Sequence, residues 1–255
     1  MAFGVPRIQV IGMRLRTVWK GVPHLAVIVE NEPLALPRPL QQQVDDHWNE
    51  LLATGAGFFR GPVLSAKEVH SMPASVVIEA VMTDYAHYLY SRLLPEASPY
   101  RVRVIFAAAC LITTDQILLA GVMSPNTSRP GWIQAVGGSP AWEDIDGRYF
   151  NPVISACRET EEEVGMAVSP QNCRVMGFTQ DEMGRIAVAV HMPVKHTARD
   201  IIPRIRGYLE TQKEPELQDV LGIPLGPLGL KMLDSQTRPV VRYLKAIVQG
   251  LYAGG

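Results

Sequence analysis

The stretch from Arg158 to Met166 would bring three carboxylates together if it were helical. Each residue of an α-helix advances about 100° around the axis, so with Glu159 at zero, Glu162 falls near about 300° and Glu163 near about 40°. The three glutamates therefore share one face. A mostly apolar stripe lies on the opposite side and consists of Val153, Cys157, Thr160 and Val164. Gly165 predicts the end of this helix, because glycine readily adopts the positive φ found just past a last turn.

This concentration of negative charge is unusual for a helix. Like charges at these spacings oppose helix formation by roughly 0.2–0.5 kcal/mol per pair. A solvated face would normally include lysine or arginine, and glutamate is favoured in the first turn of a helix rather than the last. A hard divalent cation, which takes carboxylates, carbonyls and waters as ligands, would explain the pattern. The alternative is a glutamate-rich surface helix, and residues elsewhere in the chain have to decide between the two.

Residues upstream of the helix favour the metal site. Together, Gly137-Gly138, an acid at Glu143 or Asp144, and residues 158–166 resemble the signature of the Nudix hydrolase family. The second half of the signature matches except at Thr160, where the family has a large apolar residue. The segment between the acid and the helix is about twice the family length, which predicts a loop inserted around residues 145–152. Counting from the first glycine places the acid at Glu143, and counting from the second places it at Asp144, so both alternatives stay open.

The resemblance implies a metal-dependent site. Glu159, Glu162 and Glu163 would hold Mg²⁺ or Mn²⁺, with the carbonyl of Gly137 as a further ligand. Arg158 would pair with Glu159 and fix its orientation rather than touch the substrate. The metal would neutralise the two bridged phosphates of the substrate and acidify a bound water, which is what cleavage of a phosphoanhydride requires.

Other side chains are candidates for the base and for substrate contacts. Glu159 could accept the proton of the attacking water, and the family often supplies another acid from a later loop, where Glu216, or Glu214 beside it, fits. Both loop acids could instead be ordinary solvated charges. Arg129 and Trp132, just before the glycine pair, could contact phosphate and base, respectively. Their alternatives are a loop charge and a half-buried indole of the core.

Scattered residues suggest a branch of the family. Val44-Asp45-Asp46-His47-Trp48, Phe59-Arg60-Gly61-Pro62 and Gly137-Gly138-Ser139-Pro140 resemble the branch that cleaves UDP-glucose and UDP-galactose. Members of that branch can carry a degenerate acidic helix, whereas the helix is intact here. The resemblance implies hydrolysis of a UDP-sugar to UMP and a sugar 1-phosphate. The alternatives are an ADP-ribose or dinucleotide pyrophosphatase and a non-catalytic, Nudix-like ligand-binding regulator.

Composition limits the partners. The 24 basic residues nearly balance the 25 acidic ones, so no strong field attracts nucleic acid or an anionic membrane. No stretch approaches the ~20 apolar residues of a membrane helix, and the N-terminus lacks the pattern of a signal peptide. The three widely spaced cysteines favour a reducing cytoplasm. We therefore expect a cytoplasmic protein with a small nucleotide substrate and no nucleic-acid or membrane partner, and a homodimer is left open.

Strands alternate with helices along the chain, which predicts an α/β fold. The Nudix resemblance implies an α/β/α sandwich with a mixed sheet. Strands are predicted at residues 7–13, 24–30 and 131–136, and a closing helix is predicted at residues 237–252. The polar segment 94–99 is the predicted boundary. We therefore assign residues 1–98 to an N-terminal α+β region, for substrate recognition or sheet extension, and residues 99–255 to a Nudix hydrolase domain.

Overall fold

The computed structural model describes residues 17–22, 24–55 and 57–253, which form one mixed sheet flanked by helices. Its strands are β1 (Thr17–Gly21), β2 (His24–Val29), β3 (Pro62–Ser71), β4 (Ser75–Asp84), β5 (Val104–Ile112), β6 (Ile117–Met123), β7 (Ile133–Gln134), β8 (Ile145–Asp146), β9 (Tyr149–Phe150), β10 (Arg174–Asp181), β11 (Ile186–Pro193) and β12 (Leu217–Pro224). Its α-helices are α1 (Arg38–Ala53), α2 (Tyr85–Ser91), α3 (Pro152–Val164), α4 (Ala198–Leu209), α5 (Pro227–Asp234) and α6 (Arg242–Ala253). Two short 3₁₀ turns lie at Trp142–Asp144 and Pro170–Asn172.

Helices cover both faces of the sheet, so the predicted α/β class with a mixed sheet is confirmed. Strand β5 shows the layering, because successive side chains of a strand point to opposite faces. Ile105 and Ala107 belong to the apolar cluster that includes residues of α3 and α4. Ala108 and Cys110 belong to a second cluster with residues of α5 and α6. The acidic helix α3 thus packs on one side of the sheet, and the closing helix α6 packs on the other.

The N-terminal strands continue the same sheet. Its main order is β1-β10-β11-β5-β3-β4-β2-β9-β8, with β6 beside β5, and β12 and β7 beside β6. Strand β3 pairs antiparallel with β5 through Leu64 and Ile105. Helices α1 and α2 form a separate apolar cluster around Val44 and Trp48. Strands on both sides of the predicted boundary at 98 therefore share one sheet, and the division into two domains stays a prediction.

Several predicted elements need correction. The segment predicted as an inserted loop contains the hairpin β8–β9, whose second strand pairs with β2 and so extends the sheet. The strand predicted at 131–136 is only the two residues of β7, while β12 and α5 had no predicted counterpart. The strand predicted at 7–13 lies outside the described residues. Among the described residues, no helix is both long and apolar enough to cross a membrane.

Candidate metal-binding active site

Local interactions fix both ends of α3. The side chain of Asn151 accepts hydrogen bonds from the amides of Val153 and Ile154 at 3.1 and 3.2 Å, which caps the first turn. Gly165 ends the helix with φ 69°, as predicted. The hydroxyl of Tyr208 donates to the carbonyls of Glu161 and Glu162 at 3.3 and 3.2 Å. The carboxylates therefore lie on a helix held at its two ends.

Thr160 departs from the family signature, and the structure shows how it is accommodated. Its side chain is fully buried, and its hydroxyl donates to the carbonyl of Ala156 at 2.7 Å. The same hydroxyl lies 3.5 Å from the sulfur of Met192. Because the buried hydroxyl has a partner inside its own helix, threonine can replace an apolar residue here without an unmet hydrogen bond.

Two glutamates of α3 are buried rather than solvated. Glu159 is 7% exposed and Glu163 is 4% exposed. One oxygen of Glu163 accepts a long hydrogen bond from the amide of Gly137 at 3.4 Å, and its other oxygen, Oε1, has no partner among the described residues. Burial, followed by the charges of Glu159 and Glu216, raises the pKa of Glu163 well above its usual value. A buried oxygen without a hydrogen-bond partner is energetically costly, so the Glu163 carboxylate needs a counterion or a proton.

The glycine pair lies directly against these carboxylates. Gly137 has φ 137°, and a Cβ there would lie 2.2 Å from the carbonyl oxygen of Ala107 on β5, so only glycine fits. A Cβ on Gly138 would lie 2.5 Å from Oε2 of Glu159. The glycine pair that follows strand β7 thus places backbone without side chains against the buried face of α3. The amide of Gly137 contacts Glu163, and the binding of a metal by the Gly137 carbonyl stays a prediction.

Arg158 forms ion pairs with three carboxylates. Its Nη1 lies 3.0 Å from Oε1 of Glu159 and 3.0 Å from Oε2 of Glu162, and its Nη2 lies 2.9 Å from Oδ2 of Asp144. The predicted pairing with Glu159 is present, and two further partners accompany it. Burial acts to lower the pKa of Arg158, but the three carboxylates outweigh that effect and raise it. The guanidinium therefore stays charged and positions Glu159.

Asp144, not Glu143, is the upstream acid that reaches the helix. Its side chain is fully buried, and it accepts a hydrogen bond from the amide of Ala141 at 2.8 Å as well as the ion pair with Arg158. Glu143 is exposed. Of the two acids that the glycine spacing allowed, Asp144 is therefore the one that contacts Arg158. The 3₁₀ turn Trp142–Asp144 directs its side chain inward.

The three predicted metal ligands are not gathered as tightly as expected. Glu162 has a side chain 59% exposed and bound to Arg158, so it stands apart from the buried pair. Among the described residues, the group of three side chains with ligand atoms within 4.8 Å of one another is instead Glu68, His70 and Glu79. That group is exposed on β3 and β4, and the charges of its two glutamates also act on neighbouring Lys67, whose pKa they raise. It has no buried member, so nothing beyond proximity favours an ion there.

The residues around Glu163 nevertheless fit a divalent cation. In the described part of the chain, Arg158 neutralises Glu159 and Glu162, whereas no basic side chain pairs with Glu163. The charges of Glu159, Glu162 and Glu216 all act to raise the pKa of Glu163. One oxygen of Glu163 has no hydrogen-bond partner among the described residues. Oxygen donors of this kind are those that Mg²⁺ and Mn²⁺ take. The donor set is therefore chemically suited to a hard cation.

Glu216 approaches the same group from a different part of the chain. It directly precedes β12, and its carbonyl accepts a hydrogen bond from the amide of Ser124 at 2.8 Å, which ties it to the end of β6. Partial desolvation, followed by the charge of Glu162, raises the pKa of Glu216. Its charge in turn acts on Glu159 and Glu163. The side chains of Glu214 and Glu216 are both exposed, but the charge of Glu216, and not that of Glu214, acts on the buried pair. Of the two loop acids considered from sequence, Glu216 is therefore the one coupled to the site.

The two predicted substrate contacts lie beside each other. The guanidinium of Arg129 is 5.6 Å from the ring centroid of Trp132. Burial raises the pKa of Tyr243 on α6, and the charges of Arg129 and Glu163 act on that pKa in opposite directions. The predicted substrate contact and the buried carboxylate are therefore both electrostatically coupled to Tyr243. Sequence reasoning missed Tyr243, which reads as one more apolar position of a closing helix.

The buried carboxylates predict an unusual dependence of stability on pH. Burial, opposed by Arg158 and assisted by Glu162 and Glu216, raises the pKa of Glu159 from 4.5 to about 7. Because the folded protein binds this proton more tightly than the unfolded chain, the contribution of Glu159 to stability is complete below about pH 4.5 and is lost as the pH rises through about 7. We expect the free energy of unfolding of the metal-free protein to fall by roughly 3 kcal/mol over this range, at ~1.36 kcal/mol per pKa unit. Denaturant unfolding at several pH values measures this fall in the free energy of unfolding.

Glu159→Gln is the control for this dependence. The variant keeps the shape of the side chain but cannot titrate, so its free energy of unfolding should fall less steeply between pH 5 and pH 8. An identical slope in the variant and the wild type would show that Glu159 does not carry the effect.

Gly138→Ala tests the close approach of the glycine turn to the helix. A methyl group there would overlap the carboxylate of Glu159 and push it away from Arg158. We expect the affinity for Mn²⁺, measured by calorimetry, to fall roughly 10–100-fold, as it does when the partners of metal ligands are changed. Gly207→Ala is the matched control, because no atom lies within 4 Å of its added Cβ and its φ is not positive. Equal affinities in the two variants would contradict this geometry.

Comparison with known proteins gives similarity only to solved structures. No protein-family model and no curated protein matches the chain. A structure from Deinococcus radiodurans is 16% identical, covering 62% of this chain and 90% of its own, with a TM-score of 0.43. A bifunctional NMN adenylyltransferase/ADP-ribose pyrophosphatase from Francisella tularensis, complexed with AMP and a Mn ion, is 15% identical, covering 66% and 47%, with a TM-score of 0.43. A Nudix-family hydrolase from Clostridium perfringens is 9% identical, covering 59% and 97%, with a TM-score of 0.35.

Proposed function

We propose that this chain is a Nudix-type hydrolase that cleaves the phosphoanhydride of a nucleoside diphosphate linked to another group, with Mg²⁺ or Mn²⁺ as cofactor. The observation that carries the proposal is the Glu163 carboxylate, which is 4% exposed, has one unmet oxygen and has no basic partner among the described residues. The signature residues around it agree with this assignment. The favoured substrate is a UDP-sugar, because of the N-terminal segments that resemble that branch of the family.

The metal would be held by the buried pair Glu159 and Glu163, with Glu162 and the carbonyl of Gly137 as further ligands. When bound, a divalent cation supplies neutralisation of the diphosphate charge and acidification of a water. Arg158 is assigned the role of a positioning residue, since its guanidinium holds Glu159 through an ion pair. A free carboxylate would otherwise turn towards solvent.

Glu216 is assigned the role of the general base. Its raised pKa suits a group that must accept a proton near neutral pH. In the reaction, a water oxygen attacks one phosphorus, its proton passes to the Glu216 carboxylate, and the bridging P–O bond breaks. A UDP-sugar and water then give UMP and a sugar 1-phosphate. Glu159 is the less suitable base, because its carboxylate is already engaged with Arg158.

The region beside Arg129 and Trp132 is assigned to the substrate. The guanidinium would pair with a phosphate, and the indole, which is partly buried, would offer an edge to the nucleobase. Burial raises the pKa of Tyr85 on α2, while Ser128 and Arg129 of the same loop act to lower it. This coupling between the N-terminal region and the proposed substrate loop supports the predicted role of residues 1–98 in recognition.

A nucleotide panel tests the function. The purified protein is incubated with UDP-glucose, UDP-galactose, ADP-ribose and a dinucleoside polyphosphate, with Mg²⁺, with Mn²⁺ or with a chelator, and the released mononucleotide is identified. We expect UMP from the UDP-sugars and no turnover with the chelator. Release of AMP alone would favour the ADP-ribose or dinucleotide alternative. Metal-independent ligand binding without turnover of any substrate would support the non-catalytic regulator instead.

Glu216→Gln tests the assigned base. We expect kcat to fall roughly 10²–10⁴-fold, the usual contribution of a general base, with little change in metal affinity. Glu214→Gln in the same loop is the matched control and should keep the activity of the wild type, because the charge of Glu214 is not among those that act on Glu159 and Glu163. If the two variants were equally active, the base would have to be another group.

A further inference from the structure

Two of the three cysteines lie side by side outside the proposed active site. The sulfur of Cys157, on the sheet-facing side of α3, is 4.0 Å from the sulfur of Cys173, which follows the 3₁₀ turn Pro170–Asn172. Both side chains are partly buried, and both thiols are free. The third cysteine, Cys110, is fully buried in β5. The proposed chemistry uses neither member of the pair.

The geometry is close to that of a disulfide. A disulfide joins its sulfurs at about 2.05 Å, so the two sulfurs must approach by roughly 2 Å. Cys173 can supply this movement, because it lies between an exposed turn and the first residue of β10, and its sulfur contacts the carbonyl of Ser169 at 3.5 Å. A rotation that exchanges this weak contact for a bond to Cys157 needs no rearrangement of the sheet.

We propose that Cys157 and Cys173 form a reversible disulfide when the protein meets hydrogen peroxide. Cys173 attacks one oxygen of the peroxide, which gives a sulfenic acid and releases water. The sulfur of Cys157 then attacks the sulfur of Cys173, the S–O bond breaks, and a second water leaves. Two thiols are oxidised to one disulfide, and the peroxide is reduced to water. A dithiol reductant restores both thiols.

The disulfide would enclose the functional part of α3. Residues 158–172 lie between the two cysteines, and they include Arg158 and the three predicted metal ligands. Cross-linking this segment reduces the freedom of the unfolded chain, which stabilises the folded state. The oxidised protein should therefore resist unfolding better than the reduced protein. This inference does not depend on the proposed hydrolase activity.

The experiment uses the full chain and hydrogen peroxide. After treatment at pH 7 and pH 9, the protein is unfolded in iodoacetamide, digested and examined by mass spectrometry. We expect a peptide pair linked through Cys157 and Cys173, with Cys110 alkylated in the same sample. Burial raises the pKa of the attacking Cys173 thiol, so the reaction should be faster at pH 9. The Tm should rise by roughly 5–10 °C and return after dithiothreitol.

Cys173→Ser is the matched control, since it leaves Cys157 without a partner and should show neither the linked peptide nor the rise in Tm. Alkylation of both Cys157 and Cys173 in peroxide-treated wild type would overturn the proposal. So would a disulfide found only between two chains, as a non-reducing gel would show. A linked peptide without a rise in Tm would overturn the inferred stabilisation.

Discussion

Replacing Glu163 by glutamine is expected to abolish metal-dependent turnover while making the metal-free protein more stable. The carboxylate is buried, one of its oxygens has no hydrogen-bond partner in the part of the chain that the structure describes, and its pKa is raised well above its usual value. A neutral amide of the same shape removes the charge that burial penalises, so we expect the free energy of unfolding without metal to increase by roughly 1–3 kcal/mol at pH 8. The same change removes a proposed ligand, so kcat/KM should fall by at least about 100-fold.

Thermal unfolding with and without Mn²⁺ measures both halves of this prediction. A ligand that binds only the folded state raises its stability in proportion to the logarithm of the ligand concentration over Kd. The wild type should therefore gain Tm on addition of Mn²⁺, and Glu163→Gln should gain little. Glu161→Gln on the same helix is the control, because Glu161 is exposed and should leave activity, stability and the response to Mn²⁺ unchanged.

A particular outcome would remove the basis of the proposed function. If Glu163→Gln lowered the Tm of the metal-free protein and left its response to Mn²⁺ intact, Glu163 would be a structural residue that is satisfied in its buried position. The proposed metal site would then have lost the one carboxylate that has no basic partner among the described residues.

Replacing Arg158 by alanine is expected to cause the largest loss of stability. The variant leaves Asp144 buried without a counterion and frees Glu159 and Glu162 to repel each other. Breaking a buried pair by removing one partner costs about 3–5 kcal/mol. For a chain of this length the Tm should fall by roughly 10 °C, at ~2–4 °C per kcal/mol. Denaturant and thermal unfolding measure the loss.

Two further variants show whether the loss comes from the buried charge. Arg206→Ala is the matched control, since it breaks an exposed ion pair with Asp219 and should cost no more than ~1 kcal/mol. Adding Asp144→Asn to Arg158→Ala removes the stranded charge and should restore part of the stability. If the double variant were no more stable than Arg158→Ala, packing of the arginine side chain rather than its charge would explain the loss.

The helix and its charges could be read from the sequence. Local geometry alone placed Glu159 and Glu163 near one another, because both lie within one turn of the same helix. Gly165 marked the end of the helix. The long spacing before Arg158 indicated a connection that precedes the helix. The glycine pair was recognised as part of the site, although its reason, the 2.2 Å approach of a Cβ at Gly137 to the carbonyl of Ala107, could not be seen.

Other features depend on the packing of distant segments. Sequence spacing allowed either Glu143 or Asp144, and the choice is made by a 3₁₀ turn that buries Asp144 against Arg158. The pattern grouped Glu162 with the buried carboxylates, but an arginine one turn earlier on the helix holds it at the surface. The hairpin β8–β9 looked like a loop, because two-residue strands have no periodicity to detect.

The sequence by itself determined the α/β class, the amphipathic acidic helix and the chemistry that its carboxylates suit, since these depend on residue type and on spacing within a few turns. Only the tertiary structure decided that one oxygen of Glu163 has no hydrogen-bond partner among the described residues, that Glu216 approaches this group from the start of β12, and that the charge of Arg129 acts on Tyr85 and Tyr243. The physical reason is that burial and charge coupling arise where segments far apart in the chain pack across one sheet. No local pattern records which of them will meet.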